Sequence, residues 1–344
     1  MNAGVKTVNL GGGDDTLVTT VAQLGTAAAS WDSINAGEGT DLLSLSGASA
    51  VSAEAALNIS GFERLDLTAA TGIITQNMSV FSDSFDRITI GDTNDNLVTL
   101  TNVASGFSDL RFTDPGTGDD SELDLQRLVD SSSNSLTVTL AGGTILQDLV
   151  IDDEETVTIT GSGTGTLTLT DLDAADMTSL TITGSNAVVA SDVSSTALAT
   201  VDASAATGAV TVSAANSIVA ITATGNATAG GIFTFTGGSN ADTITGGLLG
   251  DVLVGGAGAD TINGGAAADT ITGGNGIDTL TGGAGADNFV ILAEGALNYD
   301  VVSDFSAGTT DDVIQIDISA INGGALSDTA GTALTAEAGA GEGA

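Results

Sequence analysis

The sequence predicts an all-β fold, a parallel β-solenoid with two strands per coil of about 20 residues that continues into a β-roll of shorter period. Three observations carry that reading. Short runs in which Val, Ile or Leu alternates with Thr recur along the chain, Gly is plentiful at 48 residues against the single Pro115, and the segment 237–290 divides without gaps into nonapeptides. Alternation of period two marks a strand with one buried face. A fixed longer period marks stacked units, none of which can close a core alone.

In chain order, the first 115 residues read as an irregular solenoid. LGGGDDTLV (10–18) and AGEGTDLLS (36–44) look like early nonapeptides, with Asp15 and Asp41 in the acidic position. GFERLDL (61–67), SFDRITI (84–90) and GFSDLRF (106–112) then recur, each with a Phe three residues before an apolar pair. A joint is expected at DPGTGDD (114–120), and ELDLQRLVD (122–130) is the best candidate for a short helix. Over 116–236 two columns of strands alternate at spacings of about 18–23 residues, as expected of one coil with two strands. The first column predicts an inward ladder of Val138, Ile159, Ile182, Val201 and Ile221; the second predicts Ile151, Leu169, Val189, Val212 and Phe235 facing it. The intervening Thr residues point outwards. Downstream of the nonapeptides, 299–319 reads as a closing strand pair, and the segment 291–344 as capping strands followed by an Ala, Gly and Thr rich tail.

The nonapeptides are GGSNADTIT, GGLLGDVLV, GGAGADTIN, GGAAADTIT, GGNGIDTLT and GGAGADNFV. Each carries Asp at its sixth position (Asp242, Asp251, Asp260, Asp269, Asp278, Asp287) and a large apolar residue at its eighth (Ile244, Leu253, Ile262, Ile271, Leu280, Phe289). The fourth Gly is replaced by Asn240, Leu249 and Ala267 in three units. With two units per coil, Asp242, Asp260 and Asp278 stack in one column and Asp251, Asp269 and Asp287 in the other. Carboxylates about 4.8 Å apart repel by roughly 0.9 kcal/mol per pair at the dielectric of water, and by about four times that at an effective value of 20. A hard divalent cation seated between coils reverses the sign. Calcium takes six to eight oxygens, and glycine turns offer main-chain carbonyls without a side-chain clash. The glycines expected to build such cages are Gly237, Gly238, Gly246, Gly255, Gly256, Gly258, Gly264, Gly273, Gly274, Gly276, Gly282 and Gly285, with Asp15 and Asp41 as further candidate ligands. A flexible Gly-rich linker would have no reason to hold an apolar residue two positions after every Asp.

Composition narrows the function classes. Forty-four Asp and Glu against five Lys and Arg give a formal net charge of −39 over 344 residues. The five cations, Lys6, Arg64, Arg87, Arg111 and Arg127, are scattered singly, which is no footprint for nucleic acid. Anionic lipid is repelled as well. An apolar fraction of 42% separates the chain from acidic disordered sequences. Without Cys or His there are no disulfides, no thiolate or imidazole chemistry and no zinc site of the usual kind. No run approaches the length of a membrane span, and the first residues lack the apolar core of a secretory signal. The acidic runs 92–96, 152–155 and 311–312 read as solvated faces.

GGAGADTIN, GGNGIDTLT and GGAGADNFV resemble the RTX (repeats-in-toxin) family of calcium-binding parallel β-rolls. The resemblance implies several bound calcium ions held by aspartates one turn apart and by turn carbonyls. It also implies export from a Gram-negative cell by a type I system that reads a C-terminal signal. Low cytosolic calcium would leave the chain expanded, and millimolar calcium outside would fold it. The tail ends in GAGEGA without an apolar terminus, so the chain is expected to stop short of its natural end.

No HExxH helix and no GxSxG elbow occur, and a His-dependent triad is impossible, so no enzyme is expected. The composition resembles the lattice-forming regions of RTX-type bacterial S-layer proteins. The expected function is a structural, calcium-dependent protein of the cell surface, with calcium driving folding and assembly. Its expected partners are further copies of the chain and cell-surface polysaccharide, with neither nucleic acid nor a membrane interior among them. The alternatives are an RTX adhesin or biofilm-matrix stalk, a calcium-binding module of a secreted enzyme, and an ice-binding solenoid suggested by TxT units such as Thr137/Thr139 and Thr234/Thr236.

Overall fold

The computed structural model describes residues 7–24, 33–47, 50–70, 74–82, 85–91, 97–113, 122–226, 230–292, 299–306 and 312–316. The expected joint at 114–120, the acidic run 92–96 and the tail from Gly323 lie outside these residues. Two parallel sheets of 14 and 12 strands face one another, and a three-stranded sheet pairs Thr7–Gly12, Ser33–Glu38 and Ile59–Ser60. Alternate strands feed alternate sheets, so the chain winds as the predicted all-β solenoid. The larger sheet runs without a break from Thr16–Thr20 to Val301–Val302, and the nonapeptides therefore stack directly on the coils before them.

Burial alternates along almost every strand. Val157 and Ile159 in Thr156–Ser162 are buried, while Thr158 and Thr160 are only partly covered. Strands of this kind form because β-branched residues suit a pleated surface buried on one side. The three Phe motifs are in register: Leu65, Ile88 and Leu110 stack across neighbouring strands, with Phe62, Phe85 and Phe107 buried beside them. The expected closing pair at 299–319 is present as Val301–Val302, which pairs with Thr279–Ala284, and Val313–Ile316, which pairs with Asn288–Ile291.

Several expectations are corrected. The candidate helix at 122–130 is a strand, Glu122–Arg127, in which Leu123, Leu125 and Arg127 point inwards. Its apolar spacing is two, and Leu128 and Val129, which follow the strand, are 54% and 61% exposed. The first ladder holds through Val138, Ile159 and Ile182, but Val201 stacks on Leu180, and Ala223 rather than Ile221 follows it. That two-residue shift keeps the inward face, and Ile221 is still buried. In the second ladder Leu169 stacks on Ala190, then Val212 and Phe235, so Val189 faces outwards beside Thr211; Ile151 is buried but lies beyond its strand. A one-residue change in the preceding turn inverts every side chain in a strand, and nothing in the local pattern AVV distinguishes the two parities.

The acidic run 152–155 is no solvated face. Glu154 is fully buried and bonds the Arg127 guanidinium at 2.6 Å. Asp153 accepts the Arg127 amide, and Glu155 the Asn134 amide. Arg127 also donates to the Ala104 and Phe107 carbonyls at 2.8 Å each, which ties three successive coils together.

Candidate metal centre

Within 237–290 the strands Thr243–Gly247, Thr261–Ala266 and Thr279–Ala284 stack in one sheet, and Val252–Ala257, Thr270–Asn275 and Asn288–Ile291 in the other. The eighth-position residues form two core columns, Ile244, Ile262 and Leu280 against Leu253, Ile271 and Phe289. Each Asp lies just before its strand, at the turn, and all six are at most 1% exposed.

The carboxylates form ladders. The amide of each Asp donates to the Oδ1 of the Asp 18 residues later: Asp242 to Asp260, Asp251 to Asp269, Asp260 to Asp278 and Asp269 to Asp287, at 2.7–2.8 Å. The predicted columns are therefore present. Both extend beyond the repeats in each direction. Ile221 and Phe233 donate to Asp242 and Asp251, while Asp278 and Asp287 donate to Asp300 and Asp312. Asp304 takes the amides of Gly282 and Gly283. Sequence reading missed Asp300 and Asp304, and placed Asp312 on a solvated face. The signal was an acidic residue two positions before Val302 and Ile314, hidden because the linking turns lengthen and break the period.

The six units fall into two kinds. In the first two, Asp242 Oδ2 accepts from Gly238 and Asp251 Oδ2 from Gly247, at 2.9 and 2.5 Å, so each turn closes on its own carboxylate. In the other four, the second glycine (Gly256, Gly265, Gly274, Gly283) turns to φ between +95° and +111° and gives up that bond. The Oδ2 atoms of Asp260, Asp269, Asp278 and Asp287 are then buried with no hydrogen-bond partner. The lost fourth Gly explains the first kind at Asn240 and Leu249, but not at Ala267. There the backbone takes φ +72° despite the side chain, which costs about 1–2 kcal/mol, and the open turn is kept.

Burial raises the carboxyls of Asp242, Asp251 and Asp287, and pushes those of Asp260 and Asp269 up to about 7; bonds from main-chain amides oppose the shift. The neighbouring aspartates add to it at Asp260 and Asp269. No Lys or Arg occurs after Arg127 to compensate. Four buried anionic oxygens without donors are a standing penalty unless a cation supplies the missing charge.

The oxygen set fits a hard cation. A methyl placed on Gly255 would come within 3.0 Å of both Asp260 Oδ2 and the Gly273 carbonyl oxygen; one on Gly264 would meet Asp269 Oδ2 and the Gly282 carbonyl oxygen in the same way. Carboxylate and carbonyl thus border one small space beside each first-position glycine. Gly273 and Gly282 bring the same close approach to Asp278 and Asp287. Among the described residues no three acidic side chains converge on one point, so any ion here must draw on main-chain oxygens as well. All-oxygen donors, mixed carboxylate and carbonyl, suit calcium.

The family model for the RTX calcium-binding nonapeptide repeat matches in four copies, over residues 236–271, 245–280 and 263–290. The segment 236–290 is an RTX repeat array. Among curated proteins, no relative matches the chain. RTX repeats bind several calcium ions, and in this array Asp260, Asp269, Asp278 and Asp287, with the turn carbonyls beside them, are the residues that would hold them. Bound calcium would supply charge neutralisation and a cross-link from coil to coil. The chain's own part is to bury the carboxylates, fix each Oδ1 on an amide and leave each Oδ2 free. Gly237, Gly238 and Gly246 belong to the turns of the first two units, while Gly258, Gly276 and Gly285 lie at the fourth position of open ones. Asp15 and Asp41 stand apart from the array at the N-terminal end, where the Asp15 amide donates to Asp41 Oδ1 at 2.7 Å.

The protein thus carries a calcium-binding repeat array of a kind typical of secreted proteins. No helix among the described residues is long and apolar enough to cross a membrane.

Proposed function

We propose that the protein is a structural subunit of a bacterial cell-surface layer, exported by a type I system, in which calcium controls both folding and assembly, and that it carries no catalytic activity. The observation that carries this reading is an acidic column on the outer face of the smaller sheet. Glu122, Asp148 and Asp171 are directly in register across three strands, flanked by Asp124 and Asp173. Burial raises the Asp148 carboxyl, with Asp171, Glu122, Asp173 and Asp124 adding to the effect. Two copies presenting such columns repel one another at low calcium and can be bridged by divalent ions at high calcium, the dependence a surface lattice needs. The long unbroken solenoid gives each subunit a rigid body on which a repeating contact can be built. Cell-surface polysaccharide is the expected anchor.

Electron microscopy of the purified chain with and without millimolar calcium tests the reading. Ordered two-dimensional sheets that disperse on chelation are expected. Isolated rods in calcium would overturn it and favour a stalk.

A further inference from the structure

The first two coils lie outside the matched array, yet their turns repeat its open form. Thr7–Gly12 pairs with Ser33–Glu38 so that Gly11 lies on Gly37, as Gly256 lies on Gly274 and Gly265 on Gly283. Gly11, Gly13, Gly37 and Gly39 have φ of +110°, +105°, +112° and +150°; Gly256, Gly258, Gly274 and Gly276 have +111°, +135°, +109° and +142°. A methyl on Gly37 or Gly39 would overlap the Gly11 or Gly13 carbonyl oxygen, as one on Gly274 or Gly276 would overlap that of Gly256 or Gly258. The carboxylate is held alike. Asp41 Oδ1 accepts the Asp15 amide at 2.7 Å, as Asp278 Oδ1 accepts the Asp260 amide at 2.8 Å. Asp41 is 0% exposed, and its Oδ2 has no partner; neither does the buried Oδ2 of Asp15.

The geometry points to a separate calcium site in the gap between the first and second coils, held by the Asp41 carboxylate with Asp15 and the turn carbonyls of Gly11 and Gly13. It rests on the array being a calcium site, because the parts are recognised by their likeness to it. Two departures define its extent. Ala36 stands where the array carries its first glycine, and Glu63 stands where a third aspartate would follow, its Oε2 taking the Asp41 amide at 2.8 Å. The site is therefore a single gap and not the start of a ladder. Among the described residues no ion pair joins Arg64, on the third coil, to either aspartate. The role of this site would be to clip the first coil, which among the described residues pairs on one side only, onto the second.

Native mass spectrometry and hydrogen exchange on the full chain test this, with calcium added to stripped protein. The Asp41→Asn variant keeps the Oδ1 acceptor for the Asp15 amide; it should bind one calcium fewer than wild type and lose calcium-dependent protection over 7–20 and 33–47, with the array still protected. The complementary Asp260→Asn/Asp278→Asn variant should lose array calcium while the N-terminal protection still responds to the ion. The inference is overturned if Asp41→Asn binds as many ions as wild type, or if the N-terminal amides of the array variant exchange alike with and without calcium. A wild-type chain that binds no calcium would instead sink the array reading itself.

Discussion

Stripped of calcium, the array should fold better in mild acid than at neutral pH. Burial pushes the carboxyls of Asp260 and Asp269 from 3.8 to about 7 in the folded, metal-free chain. The unfolded chain titrates at the ordinary value, so between about pH 4 and 7 the folded form binds more protons, and stability falls as the pH rises through that window. At about 1.4 kcal/mol for each pH unit separating the two values, each carboxylate disfavours the metal-free fold by roughly 4 kcal/mol at about pH 8 and by under about 2 kcal/mol at about pH 5. For the two together the change is about 5 kcal/mol, comparable with the whole stability of many small domains. Far-UV circular dichroism and amide exchange on chelator-stripped protein should show ordered strands at pH 5 that are lost by pH 8. The net charge of −39 acts in the same direction, so Asp260→Asn/Asp269→Asn separates the two effects: the neutral amides should flatten the pH profile of the array and leave the general charge term. With excess calcium the sign reverses, because protons compete with the ion for the same oxygens. An array as ordered at pH 8 as at pH 5 without metal, or a pH profile unchanged in the double variant, would refute the reasoning.

Gly255→Ala drives a methyl against Asp260 Oδ2 and the Gly273 carbonyl; it should cost about 1–3 kcal/mol and raise the calcium midpoint of folding, whereas Gly106→Ala, with open space around it, should stay within about 0.5 kcal/mol in thermal melts. Ala267→Gly removes the strained turn of the fourth unit and should stabilise the calcium-loaded chain by about 1 kcal/mol, read as a lower calcium midpoint. Arg127→Met leaves Glu154 buried without its partner and should destabilise by about 3–5 kcal/mol in denaturant melts; adding Glu154→Leu should recover part of the loss.

The fold was legible because its grammar is local. Alternation in LTV, VTI and LTI reads as strand without reference to any neighbour, and the stacking of Asp242, Asp260 and Asp278 follows from an unbroken period. What escaped was set by turns. Whether Val189 or Ala190 faces the core depends on one residue of turn length, and whether Gly238 or Gly256 binds its own carboxylate depends on a φ that both sequences permit. Ala267 shows the limit most plainly, since an alanine at positive φ is disfavoured locally and is held there by the coils on either side. The buried pair Arg127 and Glu154 was invisible for the same reason: each is polar in its own window, and only the stacking of the coils brings them together.

The passage from solenoid to array exchanges one source of cohesion for another, and that exchange predicts where calcium matters. The strands between 135 and 183 each bury two or more large side chains, such as Val157 and Ile159 or Leu180 and Ile182, against Leu167, Leu169 and Leu172 opposite. A nonapeptide strand buries one, Ile262 or Ile271. Each such side chain contributes about 1.5–3 kcal/mol, while every residue fixed costs about 1–2 kcal/mol of backbone entropy, so halving the apolar content of a coil removes most of what holds it. The shortfall falls where four carboxylate oxygens lack donors, and calcium offsets both. Hydrogen exchange at neutral pH in chelator should therefore leave the amides of 135–183 protected and release those of 252–291, with protection restored by calcium in the second segment alone. Uniform loss across both segments would mean that the ions hold the whole solenoid, and that the apolar ladders upstream are insufficient by themselves.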